Sequence, residues 1–142
     1  MMPTRAYPAI IERGASGYGV FFPDLPGCTS AGDTVEDAAR NAGEALQGHL
    51  EVSLEYGDTL PPATGLDALP REPEVAEASR RMIEAEISEA HARLEAANAR
   101  LHAARAAQAG RRERAARLRA ELDTLERELA EDEAALGGAL RA

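Results

Sequence analysis

No proline follows position 73, and no aromatic residue follows Tyr56. A chain divided in this way cannot spread one mixed core along its whole length, so its two halves must fold by different means. Nine of the twelve glycines precede position 66, and the prolines sit at 3, 8, 23, 26, 61, 62, 70 and 73. Turns and mixed packing therefore belong to the first half. The second half is rich in Ala, Arg, Glu and Leu, all good helix formers. Pro61 to Pro73 carries four prolines in thirteen residues, the signature of a semi-rigid, extended linker. The expected organisation is an α+β domain over 1–60, a Pro-rich linker over 61–73 and a helical segment over 74–142.

Charge narrows the function classes. The 142 residues carry 16 basic and 25 acidic side chains, 16 − 25 = −9, and every basic residue is Arg. Such a balance argues against a general nucleic-acid binder. Residues 1–72 hold 4 Arg and 11 acids, net −7; residues 73–142 hold 12 Arg and 14 acids, net −2. The single Cys excludes a disulfide scaffold and a Cys-based zinc site, and it fits a reducing compartment. No stretch approaches the length of a membrane span, and Met1-Met2-Pro3-Thr4-Arg5 lacks the apolar core of a signal peptide. A cytoplasmic protein without membrane contact is expected.

Local patterns organise the first half. Arg5 to Arg13 alternates as a strand, with Tyr7, Ala9 and Ile11 on one face. Pro8 lacks a donor, so this strand should lie at an edge or be bonded on one side only there. Gly14 to Gly17 is a hairpin loop, and Tyr18 to Phe22 a second strand. Pro26-Gly27 suits the centre of a type II turn, and Cys28 to Ala31 is a short third strand. Thr34 is a candidate N-cap, with Glu36 and Asp37 at the positive end of the helix that follows. Its apolar stripe runs from Val35 through Ala38, Ala42, Leu46 and Leu50 to Leu54, and Gly57 is a fitting stop. Gly43 and Gly48 are costly inside a helix unless they admit close packing on the sheet. Three strands and one helix make a domain small enough to need help from a partner chain.

The run Phe22-Pro23-Asp24-Leu25-Pro26-Gly27-Cys28 is followed by Gly32-Asp33-Thr34 and the acidic, Ala-rich Val35-Glu36-Asp37-Ala38. With Tyr7-Pro8-Ala9-Ile10-Ile11-Glu12 before it and Asn41-Ala42-Gly43-Glu44-Ala45-Leu46 after it, this pattern resembles the N-terminal domain of HicB-family antitoxins. The resemblance covers residues 5–75, including Glu72-Pro73-Glu74-Val75. It implies a partial ribonuclease H-like fold without nuclease activity. It also implies neutralisation of a HicA-like toxin, a small mRNA interferase with a double-stranded-RNA-binding-like fold. The family usually continues into a ribbon-helix-helix or helix-turn-helix segment that binds the operon's own promoter. Here a single long helical pattern follows Val75, which leaves promoter DNA as an open partner.

That pattern is a heptad repeat. Position a falls at Ile87, Leu94, Leu101, Gln108, Ala115, Leu122, Leu129 and Leu136. Position d falls at Ile83, Ala90, Ala97, Ala104, Arg111, Leu118, Leu125, Asp132 and Ala139, and the phase never slips. A sustained 3.5-residue period implies a helix that buries its stripe on another helix. The expected oligomerisation residues are Ile83, Ile87, Leu94, Leu101, Leu118, Leu122, Leu125, Leu129 and Leu136. Gly110 is the one weak point, and a hairpin there competes with a continuous rod; preserved phase favours the rod. Parallel, in-register pairing would set Arg100 on Arg105, Arg114 on Arg119, Glu121 on Glu126 and Glu128 on Glu133. Antiparallel pairing centred near Leu122 sets Arg119 on Glu126, Arg112 on Glu133 and Arg114 on Glu128. Antiparallel association, between chains or as a hairpin, is expected.

Catalytic patterns are weak. Asp24, Asp33 and Glu36 are the carboxylates a metal-dependent nuclease would need to converge, but capping and turn formation explain each of them. Cys28 has no neighbouring His, and His49, His91 and His102 lack ligand spacing, so no metal and no cofactor are expected. Arg100 to Arg119 carries net +6 and Glu121 to Glu133 net −6. A basic helix face can track phosphates, yet complementary coiled-coil charge is the simpler account. The expected contact surface for a toxin is the exposed hairpin and the Phe22–Gly27 turn, represented by Glu12, Tyr18 and Asp24. An inward-facing Tyr18 would instead be core. Two other functions fit the residues: an adaptor displaying a HicB-like domain on an oligomerising rod, and a DNA-binding regulator using the basic part of that rod.

Overall fold

The computed structural model describes residues 2–69 and 79–141. Four strands form one antiparallel sheet: β1 (Thr4–Gly14), β2 (Gly17–Phe21), β3 (Thr29–Gly32) and β4 (Ser79–Glu86), in the order β3-β2-β1-β4. Helix α1 (Val35–Glu55) packs on one face, and helix α2 (Glu89–Arg141) follows β4. Contacts divide the chain into two units, Met1–Arg100 and Leu101–Ala142. Among the described residues, no helix is long and apolar enough to cross a membrane.

The expected elements of the first half are present. Val20 faces Ile11 across the β1–β2 ladder, and Gly14 faces Gly17, which closes a two-residue loop at Ala15-Ser16. The Cys28 N–H donates to the Leu25 carbonyl at 3.0 Å, and Gly27 sits at φ +87°, as a type II turn requires. Pro8 meets Met82 on β4, while β2 ends with Phe21 opposite Ile10. No part of β2 therefore faces Pro8, and its missing donor is tolerated inside a central strand. Thr34 Oγ1 accepts from the Asp37 N–H at 3.1 Å, capping α1. Where α1 begins, its backbone crosses Gly32 so closely that a Cβ there would lie 2.3 Å from the Ala38 nitrogen.

The core lies between the sheet and α1. Tyr7, Ala9, Ile11, Val20, Ile83 and Ala85 from the strands meet Ala38, Ala42, Leu46, Leu50 and Leu54 from α1. Phe22, Leu25, Cys28 and Ile87 belong to the same cluster. Full burial of one such Leu or Ile contributes about 1.5–3 kcal/mol. Gly43 faces β4, and a Cβ there would make only ordinary contact, 3.5 Å from the Glu84 carbonyl oxygen. Gly48 has nothing within 4 Å of such a Cβ, so close packing does not explain it.

Two sequence expectations need correction. The helical segment does not extend unbroken from 74: residues 79–86 form β4, which pairs with β1 from Thr4↔Glu86 to Ile11↔Ser79. Ile83 and Ile87 are accordingly core residues of the first unit, at 6 % and 0 % exposure, and do not lie on a helical seam. Leu94, on α2, is half-buried against the same core. The confusion has a physical cause. Ile83 and Ile87 are four apart, which is about one helical turn and also two strand repeats. Ile83-Glu84-Ala85-Glu86-Ile87 alternates strictly, and pairing with β1 selects the strand.

The second correction concerns the linker. Its described part is fastened to the first unit. Tyr7 Oη donates to the Pro61 carbonyl at 2.7 Å. Thr64 donates through its backbone N–H and its hydroxyl to the Asp24 carboxylate, at 2.8 and 2.6 Å. A 3-10 turn, Leu66–Ala68, leads to buried Leu69. The expected linker over 70–73, the Glu72 to Val75 stretch and the expected helix start at 74 lie outside the described residues. Gly110 does not interrupt α2, so the hairpin alternative is excluded.

Candidate partner-binding surface

In a sheet, cross-strand neighbours share a face. The face turned away from α1 is therefore legible from the register. Ile10 lies beside Phe21 and Arg80, Pro8 beside Met82, Ala6 beside Glu84, and Thr4 beside Glu86. Glu12 lies beside Gly19 on the same face. Phe21 and Met82 are 36 % and 40 % exposed, on either side of the buried Pro8 and Ile10. Around this apolar centre stand three carboxylates, Glu12, Glu84 and Glu86, with Glu84 and Glu86 exposed. An apolar centre with a charged rim is the general build of a protein–protein contact.

The sequence-predicted contact residues do not converge. Glu12 lies on the face just described. Tyr18 pairs with Arg13 on the opposite, helix-covered face and is half-buried against the core. It also lines a shallow cleft of about 380 Å³ between the β1–β2 hairpin and Ala31-Gly32-Asp33. Asp24 sits in the turn at the far end of β2, and both of its carboxylate oxygens accept from Thr64. It anchors the linker.

Of the carboxylates considered for metal chemistry, Asp24 is held by Thr64. Glu36 reaches Arg81 at 3.6 Å. Among the described residues, no group of three His, Cys, Asp or Glu side chains could hold a metal ion. His91 serves structure. Ser88 caps α2, accepting from the His91 N–H at 3.1 Å, while the His91 ring bridges Ser88 Oγ at 2.7 Å and Glu55 Oε1 at 3.0 Å. Cys28 is buried, and burial pushes its thiol pKa up, which works against reactivity.

Several fastening residues escaped sequence reasoning. Buried Asn98 donates to the Leu54 carbonyl at 2.9 Å and the Asp58 carbonyl at 3.1 Å. It ties the carboxyl end of α1 to α2, adding a donor to the Leu54 carbonyl, which also accepts from the Gly57 N–H at 3.1 Å. Arg5 Nε donates to Glu95 Oε2 at 3.0 Å. Tyr7 lies near Glu95 and Asp24, and burial, then these two charges, hold its phenol above the usual pKa. No local sequence signal marks such pairings, because their partners are 40 to 90 residues apart.

The family model described as "HicB_like antitoxin of bacterial toxin-antitoxin system" matches residues 7–118. An uncharacterised 14.9 kDa protein of the rep-hol intergenic region of Haemophilus phage HP1 is 44 % identical over 68 residues, 48 % of this chain and 51 % of the phage protein. The chain thus spans about half the length of that relative. The crystal structure of the Burkholderia pseudomallei antitoxin HicB aligns with a TM-score of 0.50 at 33 % identity, over 56 % of this chain and 61 % of that one. A chain of a toxin–antitoxin complex from Streptococcus pneumoniae aligns with a TM-score of 0.53 at 16 % identity, over 59 % and 70 %, a likeness of fold.

Proposed function

This chain belongs to the HicB-like antitoxin family, and we propose that it neutralises a HicA-like mRNA interferase by covering the toxin's active surface. The match over residues 7–118 carries this reading. Charge supports it. Residues 1–100 hold 8 Arg and 17 acids, 8 − 17 = −9, so the first unit carries the whole net charge of the chain. A toxin that grips RNA presents a basic face, and opposite charge speeds encounter and guards against wrong partners. The face bearing Phe21, Met82, Glu12, Glu84 and Glu86 has the chemistry for that contact: carboxylates for Arg and Lys, and an apolar centre to exclude water. Tyr18 and Asp24 contribute through the core and the linker. Neutralisation on this account is occlusion in the cytoplasm; no bond is made or broken by the antitoxin.

Co-expression with the adjacent short gene tests the proposal. Growth rescue and co-purification are expected. Phe21→Glu combined with Glu84→Arg should abolish both while leaving the circular dichroism spectrum unchanged. A chain that never rescues growth and captures no small basic protein would point to the adaptor function. Salt-sensitive retention of its own promoter would point to the DNA-binding regulator.

A further inference from the structure

The described residues of the second unit, 101–141, lie within α2, and their heptad stripe is uncovered. Leu101, Leu118, Leu122, Leu125, Leu129 and Leu136 are 46–68 % exposed. Six leucines on one stripe of a helix are not left in water without cause. Gly110 does not break α2, so a helix from outside the chain must cover the stripe. We propose that the occupant is the same segment of a second copy of this protein, running antiparallel, with the two-fold axis at Ala120.

The residues along the stripe choose both partner and direction. Reversing one helix sets a positions of one chain against d positions of the other, which shifts the centre from Leu122 to Ala120. In this register Leu118 meets Leu122, Ala115 meets Leu125, and Ala104 meets Leu136. Each Ala in the first part of the stripe thus receives a Leu from the second part. Of the three polar seam residues, Gln108 and Asp132 meet each other, where one can donate to the other, and Arg111 meets Leu129, whose side chain its aliphatic stem can cover. A parallel dimer would set Arg111 on Arg111 and Asp132 on Asp132 inside the seam.

Flanking charge agrees. Arg105 meets Glu133, Arg112 meets Glu126 and Arg114 meets Glu128, each pair made twice by symmetry. Against these six contacts stand two at the axis, Arg119 and Glu121 each facing its own copy. Exposed pairs of this kind contribute little energy individually but decide orientation. The net +6 of residues 100–119 and net −6 of residues 121–133 are then two halves of one self-complementary surface. The same matching leaves the Arg cluster occupied by carboxylates instead of phosphates.

The inference is independent of what the first unit binds. Light scattering of the full chain at micromolar concentration should give twice 15.1 kDa; a monomer overturns the proposal. Direction is read by disulfide formation in a Cys28→Ala background. Ala104→Cys combined with Leu136→Cys should give a covalent dimer, and Leu136→Cys alone should not. A covalent dimer from Leu136→Cys alone would mean parallel pairing and overturn the proposal, as would failure of the double variant to cross-link. A charge swap gives a second readout. Arg112→Glu should weaken dimerisation about tenfold, and adding Glu126→Arg should restore it; failure of that restoration would count against the register.

Discussion

At the scale of single residues, two buried acids set the alkaline limit of the fold. Cys28 closes the Phe22–Cys28 turn and is buried in the core, and burial raises its pKa above the ordinary 9.0. Tyr7 is raised above 10.0 by burial, Glu95 and Asp24. Both groups are neutral when protonated, so the unfolded chain releases these protons first as pH rises. Their contribution is complete below the unfolded value and is lost as pH climbs through the folded one. The urea midpoint should therefore begin to fall above pH 9. In Cys28→Ala the fall should begin nearer pH 10, where Tyr7 takes over. Asp37 acts at the other extreme: hydrogen bonds from Arg40, then with Thr34, lower its pKa below 3.8. Its contribution is present above that value and lost in stronger acid. An alkaline limb unmoved by Cys28→Ala would mean that the thiol ionises equally in both states.

At the scale of elements, α1 contains a residue that its surroundings do not require. Gly48 is exposed, with open space where a side chain would go. Gly48→Ala should stabilise the protein by about 1 kcal/mol. That corresponds to a rise in thermal midpoint of about 4–8 °C for a unit of this size. Gly32→Ala should do the reverse, because its Cβ would strike the backbone where α1 starts. Calorimetry of the two variants separates a glycine kept for packing from one that merely weakens a helix. The same contrast explains what the sequence could tell. α1, its Thr34 cap, the hairpin and the turn at Pro26-Gly27 are written in local patterns and were legible. β4 was not, because a four-residue apolar spacing satisfies two periods and only the distant β1 decides between them. The proposed contact face was half hidden for that reason: Glu12 lies in a segment with a local strand pattern, whereas Met82, Glu84 and Glu86 belong to one whose pattern also fits a helix. Asp24 looked exposed because Thr64, its partner, is 40 residues away.

At the scale of the whole molecule, the position of β4 changes where the chain can be cut. Composition places the end of the first domain near residue 60, but the sheet is incomplete there. β4 forms the ladder on one side of β1, and Ile83, Ala85 and Ile87 enter the core beneath α1. The residues after β4 add more: the Ile87 N–H donates to the Pro3 carbonyl at 2.9 Å, and from early α2 Glu95 is held by Arg5 and Asn98 closes the end of α1. Removing Ile87 alone by truncation to Ala should cost about 2–5 kcal/mol, a large part of the stability of a small domain. A fragment of residues 1–60 loses all of these together. It should lack a cooperative thermal transition and a native near-ultraviolet spectrum. A fragment ending at Arg100 retains every one of them and should unfold cooperatively at a midpoint close to that of the full chain. If the protein is a toxin-binding dimer, this longer fragment should also retain the toxin but only as a one-to-one complex, since the leucine stripe begins at Leu101. A folded 1–60 fragment would show that β4 is an accessory strand, and the proposed partner-binding face would then have to be redrawn around β1 and β2 alone.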